Sequence, residues 1–460
     1  MKKTPINIIG WLSIIFLILV LFFSPPLNVE QELITCYYNL CLQIVIFYVL
    51  WSVILLKKRV DILEPIVLTT GIHLLLFEIT PIICLKTSRI LFFGTYVWGA
   101  CVKATYISTI GYIVLLIAYY NHSSQFTRVK IHQNEILNPK KCLYFNYCVW
   151  LFAFLCSVVL ILGYGLSLKY ILTGGNTIME NEANSKSVFG FLSIFAYAMI
   201  PSYIYIFELS NNKFIKVILY YLMFMCFYVR GFRFIMIAAI IAPVIYLYLK
   251  KNKRPKLLVV LFILIVLSIF SGYMQFARAA IRAGSGGSIP IEQIFNFDNI
   301  VEMLVENFEI FKTYYAIVEH FPKDIPFMLG KEIFLYTTVM LVPRFIWPGK
   351  PQPAIYEVIS KAVNGSSRDA GTSFPYIGEY YFEFGMLGII VFMYIFGRLL
   401  KKLNNIKSDE NIHSRIIYAC ILPLILQLLI RGYTPTNFYM IMSVIMPVII
   451  TDKIVSRIKV

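Results

Sequence analysis

Residues 217–250 read VILYYLMFMCFYVRGFRFIMIAAIIAPVIYLYLK, two apolar runs joined by Arg230-Gly231-Phe232-Arg233. A helix needs roughly 20 mainly apolar residues to cross about 30 Å of hydrocarbon, and both runs approach that length. Glycine adopts a positive φ without steric cost, so Gly231 allows a sharp reversal between the runs. The stretch therefore predicts two adjacent membrane helices, at 214–229 and 232–250.

The whole chain has the composition of a membrane protein. Of its 460 residues, 59% are hydrophobic and 14% are charged, whereas soluble domains carry about 25% charged residues. These values exclude a soluble globular protein. We predict an all-α polytopic membrane protein with about 12 transmembrane helices. The predicted spans are 6–24, 35–56, 62–84, 101–120, 142–166, 187–207, 214–229, 232–250, 257–273, 377–398, 414–430 and 437–453.

Basic residues are unevenly distributed over the connections between these spans. If Lys2 and Lys3 lie inside, most of the 41 lysines and arginines fall in cytoplasmic segments such as 57–59 and 250–256. This matches the positive-inside rule and places both termini in the cytoplasm. The net charge of +17 is then explained by topology, and no nucleic-acid partner is expected.

One connection is much longer than the others and is predicted to be external. The chain divides into residues 1–273 with nine spans, the large loop 274–376, and residues 377–460 with three spans, all in one membrane-embedded domain. Apolar residues recur at helical spacing over 291–311, opposite a set of carboxylates, which predicts an amphipathic helix. Residues 340–353 contain four prolines with Phe345 and Trp347, which favours an extended segment at the membrane interface.

Motifs for cofactors and metals are absent from the sequence. The nine cysteines form no C-x-x-C pair, and no histidine and carboxylate spacing suits a metal. There is no G-x-x-x-x-G-K-[ST] loop, dinucleotide fingerprint or H-E-x-x-H motif, so an ATP-driven pump or a zinc protease has no support. We expect no cofactor and no metal.

Arginines on the predicted outer side are the main candidates for substrate binding. External arginine is disfavoured by the positive-inside rule, so its retention indicates a role. Guanidinium binds phosphate oxygens through two parallel hydrogen bonds, which makes a diphosphate the natural ligand. Alternatively, these side chains pair with Glu379 or Glu383, snorkel, or contact lipid phosphates. The set comprises Arg89, Arg230, Arg233, Arg278, Arg282, Arg344, Arg368 and Arg431.

Carboxylates near the outer surface provide candidates for a general base. Glu379 and Glu383 lie one turn apart in Tyr376-Ile-Gly-Glu-Tyr-Tyr-Phe-Glu-Phe-Gly385. Either could take a proton from a sugar hydroxyl, or form a structural ion pair with an arginine. Asp369 and His320 are alternative bases in the loop. His73 lies inside a predicted span and is interpreted as a hydrogen-bonded packing residue.

These features together resemble one known family. The Arg-Gly-Phe-Arg segment, Val-Pro-Arg-Phe-Ile-Trp-Pro-Gly-Lys-Pro from 342 to 351, and Gly-Glu-Tyr-Tyr-Phe-Glu-Phe-Gly-Met-Leu-Gly from 378 to 388 resemble the O-antigen polymerase (Wzy-type) oligosaccharide repeat unit polymerases. The resemblance covers mainly residues 229–432.

The resemblance implies a metal-independent, multi-pass glycosyltransferase of the bacterial plasma (inner) membrane that makes the polysaccharide of lipopolysaccharide or a capsule. It would join oligosaccharides linked to undecaprenyl diphosphate on the outer face of the membrane. Membrane lipid, a chain-length regulator and a flippase are the partners considered. Arg278 and Arg282 are assigned to catalysis with Glu379 as the base. The residues assigned to substrate binding are Arg230, Arg233, Arg344, Arg368 and Arg431.

Three alternatives remain open from the sequence. An O-antigen ligase shares the lipid-linked donor and the external loop, and His320 in the loop keeps this interpretation open. A polysaccharide flippase or other transporter would need charged residues at mid-membrane, where the predicted spans have few. A structural membrane protein without activity would leave the external arginines unexplained.

Overall fold

A computed structural model describes residues 61–86, 91–92, 95–120, 138–163, 190–230, 233–252, 255, 259, 308–340, 342, 346–350, 373–407, 409 and 411–455. Three predicted spans, at 6–24, 35–56 and 257–273, lie outside these residues apart from Val259. The predicted amphipathic helix at 291–311 also lies outside them up to residue 307. The number of spans and the position of the termini therefore stay predictions.

In the described part of the chain, the regular secondary structure is helical except for one short antiparallel pair, β1 (Leu91–Phe92) and β2 (Thr95–Tyr96). The α-helices are α1 (Pro65–Leu74), α2 (Thr80–Lys86), α3 (Cys101–Tyr120), α4 (Pro139–Gly163), α5 (Met199–Leu209), α6 (Lys213–Arg230), α7 (Arg233–Lys250), α8 (Phe311–His320), α9 (Tyr376–Lys407), α10 (Ile412–Ile430) and α11 (Thr434–Ile450), besides the single turn Thr337–Val339. π-Helical segments occupy Leu75–Ile79, Lys331–Tyr336 and Thr451–Val455, and 3₁₀ turns occupy Gly190–Ser193 and Phe195–Ala198.

Five of the described helices are long and apolar enough to cross a membrane. They are α3, α4, α9, α10 and α11 with its π-helical extension to Lys453. The prediction of an all-α membrane protein is thus confirmed for the part that the structure describes. α3 has the predicted bounds, whereas α9 continues to Lys407, beyond the predicted end at 398. Its last turns contain lysine and leucine, which are good helix formers although the lysines end the apolar run.

Close contact between α3 and α9 forms the centre of the bundle. A Cβ atom on Gly397 of α9 would lie 2.5 Å from the carbonyl oxygen of Leu115 and 2.8 Å from Cβ of Ala118. On the same interface, a Cβ on Gly111 would lie 3.0 Å from the side chain of Ile389. Small residues allow membrane helices to approach until backbones touch, so these glycines set the spacing of the two helices.

We expect Gly397→Ala to lower the stability of the detergent-solubilised protein by about 1–3 kcal/mol, because the backbone of α3 must retreat. The matched control is Gly71→Ala in α1, where no atom lies within 4 Å of the added Cβ. The control should melt at or slightly above the wild-type temperature, since alanine favours helix over glycine. Equal thermal unfolding of the two variants would contradict the packing of α3 on α9.

α8 belongs to the predicted external loop but is buried in the bundle. The Tyr314 hydroxyl donates a hydrogen bond of 3.0 Å to the carbonyl oxygen of Ala104 in α3. Burial raises the pKa of this hydroxyl well above its usual value, so it remains a donor. The Trp98 ring packs edge-on against Phe311 and Tyr315, with centroids 5.7 and 5.5 Å apart. Part of the loop is therefore an integral element of the helical core.

Polar contacts join helix ends that the predicted topology places together on the cytoplasmic side. Lys407 forms an ion pair with Asp61, and Lys250 pairs with Glu208 at 2.7 Å. The Tyr119 hydroxyl donates to Glu64 at 2.7 Å. These pairs hold the ends of neighbouring helices together, and the direction of the helices across the membrane stays a prediction.

Candidate functional site

The opposite end of the bundle contains a break in α9 at Gly385. This glycine has φ 62° and ψ −142°, values outside the helical region, so α9 consists of two segments. The break frees carbonyl groups, and the main chain of the large loop satisfies them. Met328 donates its N–H to the carbonyl of Phe382 at 3.0 Å, and Leu329 donates to that of Glu383 at 2.9 Å.

The Glu383 side chain continues this attachment of the loop to α9. Its carboxylate is fully buried and accepts N–H groups from Gly330 at 2.6 Å, Glu332 at 2.9 Å and Ile333 at 3.0 Å. These donors begin the π-helix Lys331–Tyr336, whose first N–H groups have no partner within the helix. Glu383 thus caps this segment and holds it against α9.

Glu379 caps a different helix from the same segment of α9. Its carboxylate is 1% exposed and accepts the N–H of Tyr433 at 3.1 Å, the N–H of Thr434 at 2.8 Å and the Thr434 hydroxyl at 2.8 Å. These groups open α11, where a negative charge is stabilised by the helix dipole. Both glutamates therefore bind helix N-termini. The sequence analysis considered a general base and an ion pair with arginine, and it did not include this role.

Arg431 lies between the end of α10 and this capped start of α11. Its backbone N–H donates to the carbonyl of Gln427 at 2.7 Å, and its backbone carbonyl accepts from the Asn437 side chain at 3.1 Å. The guanidinium carbon lies 5.2 Å from the centre of the Phe234 ring. Since Phe234 follows Arg233 at the start of α7, Arg431 and that helix end meet at one place.

Gly432 allows the end of α10 to approach the start of α9 closely. Its N–H donates to the carbonyl of Phe374 at 2.7 Å. A Cβ atom here would lie 3.0 Å from the backbone of Pro375 and Tyr376. The contact joins the end of α10 to the start of α9, directly before Glu379.

The other arginines assigned from the sequence are placed only in part. Arg230 ends α6 and Arg233 begins α7, which confirms two adjacent helices with a short connection. The structure describes the backbone of these two residues. The remaining four assigned arginines, Arg278, Arg282, Arg344 and Arg368, lie outside the described residues. The structure thus places the Arg431 side chain beside Phe234 at the start of α7, and the binding roles assigned to all these arginines stay predictions.

Lys350 is a residue of this region that the sequence analysis did not single out. It is 8% exposed, and its ammonium group donates to the carbonyls of Met340 at 2.8 Å and Val342 at 3.1 Å. The same group lies 5.7 Å from the centre of the Tyr336 ring, and this ring lies 6.2 Å from that of Tyr433. The sequence signal that could have identified Lys350 is its position on the predicted outer side within a proline-rich segment, the same charge asymmetry that identified the arginines.

The histidines occupy less central positions. His73 is buried, forms a hydrogen bond of 3.2 Å with the Tyr376 hydroxyl and stacks on Tyr112, which confirms a packing role. His320 forms a hydrogen bond of 2.7 Å with the Asp324 carboxylate. Asp369 lies outside the described residues. Among the residues that the structure describes, no three histidine, cysteine or acidic side chains form a group that could hold a metal ion.

The comparison with known families gives one clear match. The model of the family described as O-antigen polysaccharide polymerase Wzy matches residues 9–458, nearly the whole chain. No curated protein and no solved structure matches the chain.

Proposed function

The chain belongs to the O-antigen polysaccharide polymerase Wzy family, and we propose that it polymerises lipid-linked oligosaccharide repeat units on the outer face of the bacterial plasma membrane. The donor would be the growing glycan on undecaprenyl diphosphate, and the acceptor would be the terminal sugar of a new lipid-linked unit. The family and the apolar helices make it a membrane protein with a polymerase-type activity.

The proposed reaction transfers a glycan from a diphosphate to a sugar hydroxyl. The acceptor oxygen forms a bond to the anomeric carbon while the bond from that carbon to the diphosphate oxygen breaks. The hydroxyl proton leaves to a base, and the lipid diphosphate departs with the electron pair. Negative charge therefore grows on the diphosphate, where pre-positioned cations lower the barrier most.

The single observation that carries this proposal is the position of Arg431. Its guanidinium lies over Phe234 at the start of α7, while its neighbours Tyr433 and Thr434 are fixed by the buried Glu379 carboxylate. A cation held by rigid helix ends is suited to bind a diphosphate without a metal ion. Arg230, Arg233, Arg344 and Arg368 complete the proposed binding set.

The identity of the base is a separate part of the proposal. The Glu379 carboxylate accepts hydrogen bonds from Tyr433 and Thr434 through both oxygens, which occupies much of its capacity to accept a proton. We therefore propose that Glu379 acts mainly by positioning Arg431. General-base catalysis by Glu379 is the alternative that substitution by glutamine distinguishes.

The function is tested by deleting the gene and analysing cellular polysaccharide on a gel together with the lipid-linked intermediates. A polymerase mutant should retain cores that bear a single repeat unit, because export and attachment still work. Loss of all surface glycan with intermediates trapped inside would instead indicate a flippase. Exported glycan without attachment to the core would indicate a ligase.

Arg278 and Arg282 are proposed to stabilise the charge on the departing diphosphate. We expect Arg278→Ala or Arg282→Ala to abolish long chains while single repeat units are still made, with a rate loss of about 100-fold or more. The measurement is the polysaccharide ladder, with the amount of inserted protein determined in the same cells. A normal ladder in both variants would contradict the role, and a purified enzyme that stops after chelation would contradict metal-independent catalysis.

A further inference from the structure

The loop segment attached to α9 presents a row of large apolar side chains on its outer surface. Leu329 is 74% exposed, Phe334 is 58% exposed and Leu335 is 51% exposed. The neighbouring part of α9 continues this surface with Leu387, 73% exposed, and Val391, 51% exposed. We call these five residues the apolar row.

Leu329, in the apolar row, has an unusual backbone conformation that hydrogen bonds hold in place. Its φ of 51° lies in the left-handed region, which glycine and asparagine adopt at a lower cost than leucine. The conformation is fixed by hydrogen bonds from the N–H groups of Leu329 and Gly330 to Glu383. A leucine in a strained conformation, with its side chain exposed, suggests that something binds the side chain.

The apolar row adjoins the proposed diphosphate site. The Phe334 ring lies 6.4 Å from the rings of Phe384 and Phe392 in α9. Two residues further on, the Tyr336 ring packs against Tyr433, which lies next to Gly432 and close to Arg431 in the chain. The segment therefore links the apolar surface of α9 to the residues that hold Arg431.

We propose that the apolar row binds the polyisoprenoid chain of the lipid-linked donor. The inference rests on the proposed function, because it requires a lipid diphosphate at Arg431. The isoprenoid must run from this diphosphate into the hydrocarbon, and among the described residues the row is an apolar surface on α9 and on the segment that also contacts Tyr433. Once the diphosphate is bound, contacts with its own chain are intramolecular, so the chain has an advantage over bulk lipid.

The test compares two donors that carry the same glycan diphosphate, one on the full-length isoprenoid chain and one on a methyl group in its place, using the purified full-length protein in lipid nanodiscs. The variants are Leu329→Asn, which suits the left-handed backbone, and Leu335→Ala. The matched control is Leu155→Ala, because Leu155 of α4 is also 51% exposed but lies on another helix. We expect KM for the full-length donor to rise roughly fivefold in the two variants, with kcat unchanged.

The donor without an isoprenoid separates the outcomes. KM for this donor should be the same in the wild type, both variants and the control, since it has no chain that could contact the row. An equal rise for both donors would overturn the proposal and place the effect at the diphosphate site. Unchanged KM for the full-length donor would also overturn it, while leaving polymerisation by the wild type intact. A wild type that polymerises neither donor would instead refute the proposed function.

Discussion

Cells in which Glu379 is replaced by alanine are expected to make no long-chain polysaccharide, and the purified variant should unfold at a clearly lower temperature. The substitution leaves the N–H groups of Tyr433 and Thr434 without their buried acceptor, at about 1–3 kcal/mol each. It also removes a negative charge from the start of α11, which contributes up to about 2 kcal/mol. The polysaccharide ladder and thermal unfolding measure the two effects.

Glu379→Gln distinguishes positioning from general-base catalysis. Glutamine keeps one acceptor oxygen, but its amide group would face an N–H donor, so stability and activity should fall together. A general base would instead abolish polymerisation even at temperatures at which the variant is fully folded, and that pattern would contradict the positioning role. The control is Glu208→Ala, because the pair of Glu208 with Lys250 is partly exposed and should contribute little.

The sequence predicts the helices well where apolar runs are long and bounded by charge. The predicted span 101–120 begins and ends at the same residues as α3. The helices on either side of Gly231 begin and end close to the expected residues. These features depend on local composition and length, which hydropathy records directly.

Contacts between distant segments could not be predicted in the same way. The sequence offers arginine as the partner of Glu379 and Glu383, whereas the structure gives backbone N–H groups that lie about fifty residues away in the chain. The break at Gly385 depends on a single backbone conformation inside an apolar run. Hydropathy averaged over a window of residues does not detect this break, although the glycine permits the conformation. The burial of α8 likewise depends on the packing of aromatic rings from elsewhere.

Arg431→Ala is expected to reduce polymerisation by about 100-fold or more, the usual effect of removing one group that stabilises transition-state charge. The fold should persist, because the hydrogen bonds of Arg431 with Gln427 and Asn437 use its backbone. Loss of the contact with Phe234 should lower the stability by about 0.5–2 kcal/mol. Arg431→Lys keeps the positive charge and should recover part of the activity. The recovery should be incomplete, because an ammonium group cannot bind a diphosphate through a planar fork. The rate is measured with purified protein and lipid-linked donor.

Lys401→Ala is the matched control, because it removes a similar contact, 5.0 Å from the Tyr119 ring, at the opposite end of the bundle. It should lose comparable stability and retain polymerisation, since no diphosphate is expected there. If Arg431→Ala and Lys401→Ala lose stability alike and both keep full activity, Arg431 contributes packing alone. The proposed diphosphate site would then have to lie away from the start of α7, among the arginines of the large loop. A selective loss in Arg431→Ala would instead establish that the junction of α7, α10 and α11 holds the reacting group.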